Sequence, residues 1–267
     1  MATEFSDDQF DHAYPDGIEN HWWILARNRI MADIVKKFAG AGAVVLDVGC
    51  GRGIVVKYLR DKGIDCSGVE LARAHPVLSV RDHVRVGIDA WDLSLTERMR
   101  YDTILLLDVI EHVSDPATFL QRLSDGFPNL SHLIITVPAC QELWSNYDEC
   151  YGHCRRYSLE MLKRTPIAPG TVCLWGSYFF HLAYPVCWVA ANLAKKRETT
   201  LHAPQGIGRW LHKLIAWAMI IDYYILPGRL PGMSALACFS LNRNGHSSRR
   251  KDSPVKPPQT GMRASRS

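Results

Sequence analysis

The residues best placed to do chemistry begin at Asp47, where the apolar run Val44–Val48 breaks into Gly49-Cys50-Gly51-Arg52-Gly53. A β-branched run that stops at three glycines reads as a strand buried on both faces, turning sharply into a helix. Glycine lets the backbone come close to a ligand. The amides leading into a helix over 54–62 would offer unpaired donors and the positive end of a dipole to a nucleotide-like molecule. A dinucleotide fingerprint, G-x-G-x-x-G, wants its third glycine where this chain has Ile54. The spacing here is G-x-G-x-G, which argues against NAD or FAD.

Further carboxylates follow at the ends of predicted strands. Glu70 closes the strand Asp65–Glu70, where an acid can accept both hydroxyls of a ribose. Asp89 follows a short strand over 84–87. Asp108 closes the strand Thr103–Leu107 and opens the run Asp108-Val109-Ile110-Glu111-His112-Val113. A fifth strand over 132–137 ends at Pro138, and the segment 141–157, QELWSNYDECYGHCRRY, has no clean period. A polar and aromatic loop beside a ligand site is where a second reactant is held. Within it His153 is the candidate general base, since its ordinary pKa lies near 6.5 and Arg155 and Arg156 would keep it neutral. Tyr157 and His112 are the next candidates. Cys150, His153 and Cys154 stand close together, but a structural zinc site needs four ligands and no second pair stands at finger spacing, so no metal is predicted.

These groups need a scaffold. The pattern over 18–38 is helical, with Trp23, Arg27, Ile30, Ile34 and Phe38 on one face. Arg27 interrupts that apolar stripe, so it either meets an anion or lays its stem on the stripe and sends its head to water. Strands alternating with helices predict a doubly wound, mostly parallel sheet with its site at the carboxyl ends of the strands. After a strand over 171–177 comes an expected helical insertion, about 178–232. It consists of an apolar helix over 178–195, a polar link and a helix over 207–226, and it precedes a last strand, Ser234–Leu241. No apolar run approaches the ~20 residues of a membrane span.

Several motifs carry a resemblance to a known family. Asp47 with G-x-G-x-G, the D-V-I-E-H-V run followed by Ser114-Asp115-Pro116, and the flanking strands resemble the class I S-adenosylmethionine (SAM)-dependent methyltransferases. His21-Trp22-Trp23 with Arg27 resembles the N-terminal helix of a bacterial small-molecule subgroup. Trp144, Asp148, Gly152, His153, Arg155, Arg156 and Tyr157 resemble the segment that follows a Val-Pro dipeptide there. The resemblance implies a Rossmann-like seven-stranded sheet whose last strands pair antiparallel. It implies SAM contacts at Asp47, Gly49, Cys50, Gly51, Gly53, Glu70, Leu71, Asp89, Ala90, Asp108, Val109 and Arg27. In it Asp89 faces the adenine amino group, Asp108 lies beside the methionine end and Arg27 meets the methionine carboxylate, while His112 holds its loop by a hydrogen bond.

Composition bounds what remains. The 267 residues, 47% apolar and 22% charged, suit one globular domain, here 16–242, after an irregular segment over 1–15. From 243 onward seven basic residues face one acid, so a tail rich in Ser, Pro and Gly carries +6 and is expected to be disordered. The chain's net +4 leaves the body at −2, which argues against nucleic acid as partner. Eight cysteines among apparent strands and helices read as reduced, and no signal peptide is visible, so a cytoplasmic location is expected. The expected function is methyl transfer from SAM to a hydroxyl oxygen of a small or lipid-linked acceptor. Two rivals are a SAM-binding module without catalysis and an RNA-modifying methyltransferase; the intact acids oppose the first and the body's charge the second. Trp188, Trp210, Trp217, Tyr223 and Tyr224 of the insertion would cap the acceptor pocket, touch a membrane surface or pack in the core.

Overall fold

The computed structural model describes residues 13–194 and 199–241. The predicted tail and most of the predicted irregular N-terminal segment lie outside the described residues. Seven strands form one sheet in the order β3-β2-β1-β4-β5-β7-β6. They are β1 (Val44–Val48), β2 (Asp65–Glu70), β3 (Val84–Val86), β4 (Thr103–Leu107), β5 (His132–Pro138), β6 (Thr171–Phe179) and β7 (Ser234–Leu241). β1 to β5 pair in parallel, and β7 runs antiparallel between β5 and β6. The expected mostly parallel, doubly wound sheet is therefore present. The chain order reverses between β1 and β4, which opens a crevice at their carboxyl ends.

Alternate side chains of each strand enter opposite cores. One core joins Val45, Leu105, Ile134 and Leu236 to Ile30, Met31 and Ile34 of α1 (Trp22–Phe38) and to Val55, Val56 and Leu59 of α2 (Ile54–Asp61). The opposite core joins Leu46, Ile104, Leu106, Leu133 and Ile135 to Leu120 and Leu123 of the helix Pro116–Gly126. That helix is α4, following the one-turn α3 (Leu95–Arg98).

The predicted helix over 18–38 is broken near its start. Gly17 takes φ 86, a 3-10 turn covers Ile18–Asn20, and His21 is extended. His21 then caps α1, its ring nitrogen accepting from the Trp23 amide at 3.3 Å. Short helices α5 (Asn146–Cys150) and α6 (Leu159–Lys163) punctuate the loop after β5. The insertion also departs from expectation, because β6 runs two residues further than predicted. Tyr178 and Phe179 stay in the ladder opposite Ala235 and Ser234. Helix α7 begins only at Tyr184, with Pro185 in its first turn, and runs through Val189 into a π-helix, Ala190–Ala194. Helix α8 (Gly208–Ile225) lies against α1: the Trp22 amide donates to His212 Nδ1 at 3.2 Å, and the Tyr224 hydroxyl donates to Asp33. Among the described residues no helix is long and apolar enough to cross a membrane.

The glycine loop is locked to the sheet at Gly68 in β2. A Cβ at that position would lie 2.5 Å from Cys50 Sγ and 2.7 Å from Cys50 Cβ. Alanine normally gains in a strand over glycine. Here overpacking reverses the sign, and Gly68→Ala is expected to destabilise the protein by about 1–3 kcal/mol in urea denaturation. An unchanged or raised midpoint would contradict the packing described.

Candidate active site

A cavity of about 250 Å³ opens at the carboxyl ends of β1, β2, β3, β4 and β5. Tyr14, His21, Trp22, Trp23 and Arg27 close it from the N-terminal side, and Gly49, Glu70, Leu71, Asp89, Ala90, Asp108 and Val109 form its strand-end wall. Its far end is lined by Glu111, His112, Tyr147, Tyr151, His153 and Arg156. The cavity thus has an acidic and apolar half over the sheet and a histidine-rich half toward the loop after β5.

Asp108 stands where these halves meet. Its backbone is left-handed, φ 59, an arrangement that costs on the order of 1 kcal/mol and clusters at functional positions. The turn aims its carboxylate at α1. Oδ2 lies 2.6 Å from Arg27 Nη1, and Oδ1 accepts from the Thr136 hydroxyl at 3.3 Å. Arg27 is 5% exposed, and its guanidinium carbon sits 4.1 Å from the centre of the Trp23 ring. The arginine has therefore met an anion instead of reaching water. That anion is a side chain of this protein.

The glycine loop works differently from its sequence reading. The Gly49 and Cys50 amides donate to the Val69 carbonyl at 2.9 and 3.1 Å, the Gly51 amide to Glu70 Oε2 at 2.7 Å, and the Gly53 amide to the Cys50 carbonyl at 2.9 Å. These four donors are satisfied internally, so the loop contributes shape. Gly49, Gly51 and Gly53 all take positive φ, and a Cβ on Gly51 would stand 2.8 Å from the Tyr14 ring. Of the loop, Gly49 lines the cavity; Cys50, Gly51 and Gly53 are absent from its lining, as is Asp47. Cys50 packs on Gly68, and burial raises its thiol well above the usual range.

Glu70 spans the loop and its own strand end, accepting from the Ala72 amide at 2.9 Å as well as from Gly51. Each carboxylate oxygen has two lone pairs, so such a residue can still accept from a ligand hydroxyl. Asp89 caps a 3-10 turn, Ala90–Asp92, and also lines the cavity. Asp47 is 1% exposed, and its Oδ1 has no hydrogen-bond partner among the described residues. Burial pushes its carboxyl from 3.8 up to about 7, with Arg27 opposing and Glu70 adding to the rise.

At the histidine end, His153 Nδ1 lies 2.8 Å from Asp148 Oδ1, and Arg156 Nε donates to the same oxygen at 2.8 Å. Burial alone would raise the Asp148 carboxyl, but the His153 hydrogen bond and the Arg156 guanidinium outweigh it and hold it below its usual value. The His112 and His153 rings are 4.8 Å apart, centre to centre, nearly perpendicular. Burial, then the neighbouring His153, lowers His112 to about 4, so it is neutral at pH 7. Arg155 is half-buried and donates to the Ser114 carbonyl at 2.7 Å. Tyr157 does not line the cavity: its hydroxyl donates to the Ile110 carbonyl at 3.3 Å, and burial pushes its phenol up to about 12. It holds the turn that carries His112.

Residues 23–165, more than half of the chain, match the model of a family described as "Methyltransferase domain". The chain belongs to that family. Curated relatives include ubiquinone biosynthesis O-methyltransferases of three bacteria. That of Leptothrix cholodnii is 34% identical over 91 residues, 31% of this chain and 39% of that protein. That of Pseudomonas paraeruginosa is 28% identical over 123 residues, 40% of this chain and 53% of that protein. That of Alkalilimnicola ehrlichii is 26% identical over 139 residues, 46% of this chain and 56% of that protein. The chain spans about half the length of the curated relatives it matches. Among solved structures, a coclaurine N-methyltransferase bound to N-methylheliamine and SAH superposes with TM-score 0.51 at 15% identity, covering 88% of this chain and 79% of that one. A putative sarcosine dimethylglycine methyltransferase from Galdieria sulphuraria gives 0.50 at 18% identity, covering 81% and 86%. These structures share the fold.

Sequence reasoning missed Tyr14, Glu111, Tyr147 and Tyr151 as cavity residues. Glu111 carried a signal, an acid inside an apolar run, but Tyr14 lies in a segment with no periodicity. Trp188, Trp210 and Trp217 are absent from the cavity lining and are 41%, 70% and 62% exposed, which removes both the lid and the core reading for them. Of the five aromatics singled out in the insertion, Tyr223 packs on the core, edge-on to Trp175 at 6.3 Å.

The Asp47 shift has a consequence for stability. The folded state holds that proton more tightly than the unfolded chain, so the contribution is complete below about pH 4 and is lost as pH rises through about 7. Ligand-free wild type should therefore lose stability relative to Asp47→Asn across that window, as read by urea denaturation at a series of pH values. A difference that stays constant with pH would contradict the buried, raised carboxyl.

Proposed function

We propose that this chain moves a methyl group from SAM to a hydroxyl oxygen of a small or lipid-linked acceptor. The carrying observation is that Glu70, Asp89, Asp108 and Arg27, on four separate elements, line one cavity with His112 and His153. Their chemistry fits the cofactor. Glu70 is an acceptor for ribose hydroxyls, Asp89 for an adenine amino group between the apolar flanks of Ile88 and Ala90, and the Arg27–Asp108 pair offers both charges to a zwitterionic methionine end. Bound there, SAM supplies an electrophilic methyl group.

The protein's own work is then limited. Its residues must hold the acceptor oxygen toward that methyl group, keep water out and see the oxygen's proton removed. The aromatic ring of Trp22, Trp23, Tyr147 and Tyr151 around the cavity excludes water. His153 governs the proton, because Asp148 orients its ring through Nδ1 and leaves Nε2 for the cavity. A hydroxyl acceptor is supported by the relatives' names as O-methyltransferases. The direct test incubates the protein with methyl-labelled SAM and fractionated cell extracts. Label entering a small molecule with an O-methyl group supports the reading, and label in no fraction, or only in RNA, opposes it.

Two substitutions separate the halves of the cavity. Glu70→Ala should weaken SAM binding by ~1.5–3 kcal/mol in calorimetry, since it removes a charged acceptor and unfastens Gly51. His153→Ala should cut turnover by roughly 10²–10⁴ while SAM affinity stays near wild type. The opposite pattern would reverse the assignment of the two ends.

The lipid-linked version of the acceptor rests on α8. Ile207, Trp210, Leu211, Leu214, Trp217 and Ile225 are exposed along it, and Lys213 stands 5.2 Å from the Trp210 ring. Aromatics among apolar and basic side chains suit a bilayer interface. The protein is expected to co-sediment with anionic vesicles at low salt and to lose this on changing Trp210 and Trp217 to Ser. Wild type left in the supernatant would remove membrane contact from the proposal.

A further inference from the structure

Glu111 is fully buried at the histidine end of the cavity, and neither of its carboxyl oxygens has a hydrogen-bond partner among the described residues. A buried carboxyl without compensation is costly, and native proteins seldom keep one without a use. Arg156, a cation of the same wall whose charge acts on it, is committed to Asp148 Oδ1 and to the Ala139 carbonyl at 3.0 Å. Two imidazoles face the same spot. One donor atom from each of Glu111, His112 and His153 lies within 4.8 Å of the others.

We infer that Glu111, His112 and His153 form the binding site of one divalent transition-metal ion of the zinc class. Two histidines and a carboxylate are the donor set of a catalytic zinc centre, which keeps a coordination position open. Imidazole nitrogens favour such an ion over magnesium or calcium. The surroundings carry the outer features of a metal site as well. A ligating histidine characteristically hands its second ring nitrogen to a carboxylate, and His153 Nδ1 does this with Asp148 at 2.8 Å. Asp148 is in turn fixed by Arg156 and by the Ser145 amide at 2.9 Å. The two donor segments are fastened together without an ion, since the Cys154 amide donates to the Glu111 carbonyl at 2.7 Å.

The role of the ion rests on the methyl-transfer proposal above. The open position would take the acceptor's hydroxyl oxygen and lower its pKa, so that its proton passes to solvent as the acceptor enters and before the cavity closes; the oxygen's electron pair would then form the C–O bond as the methyl C–S bond of SAM breaks and S-adenosylhomocysteine leaves. His153 thus governs the acceptor proton through the ion, as a ligand, rather than by taking the proton itself.

The test uses the full chain, stripped of metal by a chelator and dialysed. It is titrated with Zn²⁺ in a calorimeter, with Co²⁺ in a visible spectrophotometer, and separately with SAM. One ion per chain should bind, with a cobalt band of nitrogen and oxygen ligation. Affinity should fall by more than about a hundredfold in Glu111→Gln, beyond the roughly 10–100-fold that loss of an outer-shell partner costs. Cys150 and Cys154 are exposed thiols that can take up zinc adventitiously, so the Cys150→Ser, Cys154→Ser double variant should bind as wild type does. His153→Asn gives the same readout should Glu111→Gln fail to fold. No saturable uptake, affinity unchanged in these ligand variants, or loss confined to the cysteine variant would each overturn the site. SAM binding without ion uptake removes the metal site alone; ion uptake without SAM binding supports it and removes the methyl-transfer proposal.

Discussion

The ion pair between Arg27 and Asp108 ties the N-terminal helix to the mouth of the sheet, and the cavity exists because of it. Asp47, Glu70, Asp108 and Glu111 converge on the carboxyl ends of β1, β2 and β4, a concentration of acid that repels itself. Arg27 is the cation set among them from α1, 81 residues away in sequence from its partner. Removing one member of a buried pair typically costs 3–5 kcal/mol, because the other charge is left unmet. The strained backbone of Asp108 is tolerated on the same account: at φ 59 one carboxylate oxygen meets the arginine and the other accepts from Thr136 of β5. Helix α1, pinned in this way, brings Trp22 and Trp23 over the strand ends and gives α8 a surface to lie on.

The fold was legible in the sequence because its signals are local and repeated. Apolar runs of strand length alternating with helical periods define the sheet, and glycine spacing separates it from dinucleotide-binding relatives of the same architecture. Leu71, Ala90 and Val109, expected at the cofactor site through a family likeness, do line the cavity with Glu70, Asp89 and Asp108. What sequence could not supply was the pairing of groups far apart in the chain. The anion for Arg27 and the absorption of the glycine-loop amides by Val69 and Glu70 depend on tertiary register. The late start of α7 has the same cause, because the β7 ladder holds Tyr178 and Phe179 as strand against their position beside an apolar helical stretch.

The loop after β5 is the least periodic part of the chain, and its order comes from polar contacts. Asp148 gathers His153, Arg156 and the Ser145 amide, and Tyr157 clamps Ile110. Low dielectric strengthens each of these bonds and makes any unpaired member costly, so the network specifies one arrangement of the loop. The result is a cavity with two chemically distinct ends, one of acids over the sheet and one of imidazoles under the loop. Such a division suits a reaction between two bound molecules.

The site proposed between the strand-end acids and α1 is one for SAM and not for a dinucleotide. Calorimetric titration of the full chain with SAM and, in parallel, with NAD separates the two. One SAM should bind per chain with saturable heat, and NAD should not bind. Saturable binding of NAD, or no heat with SAM, would contradict the proposal.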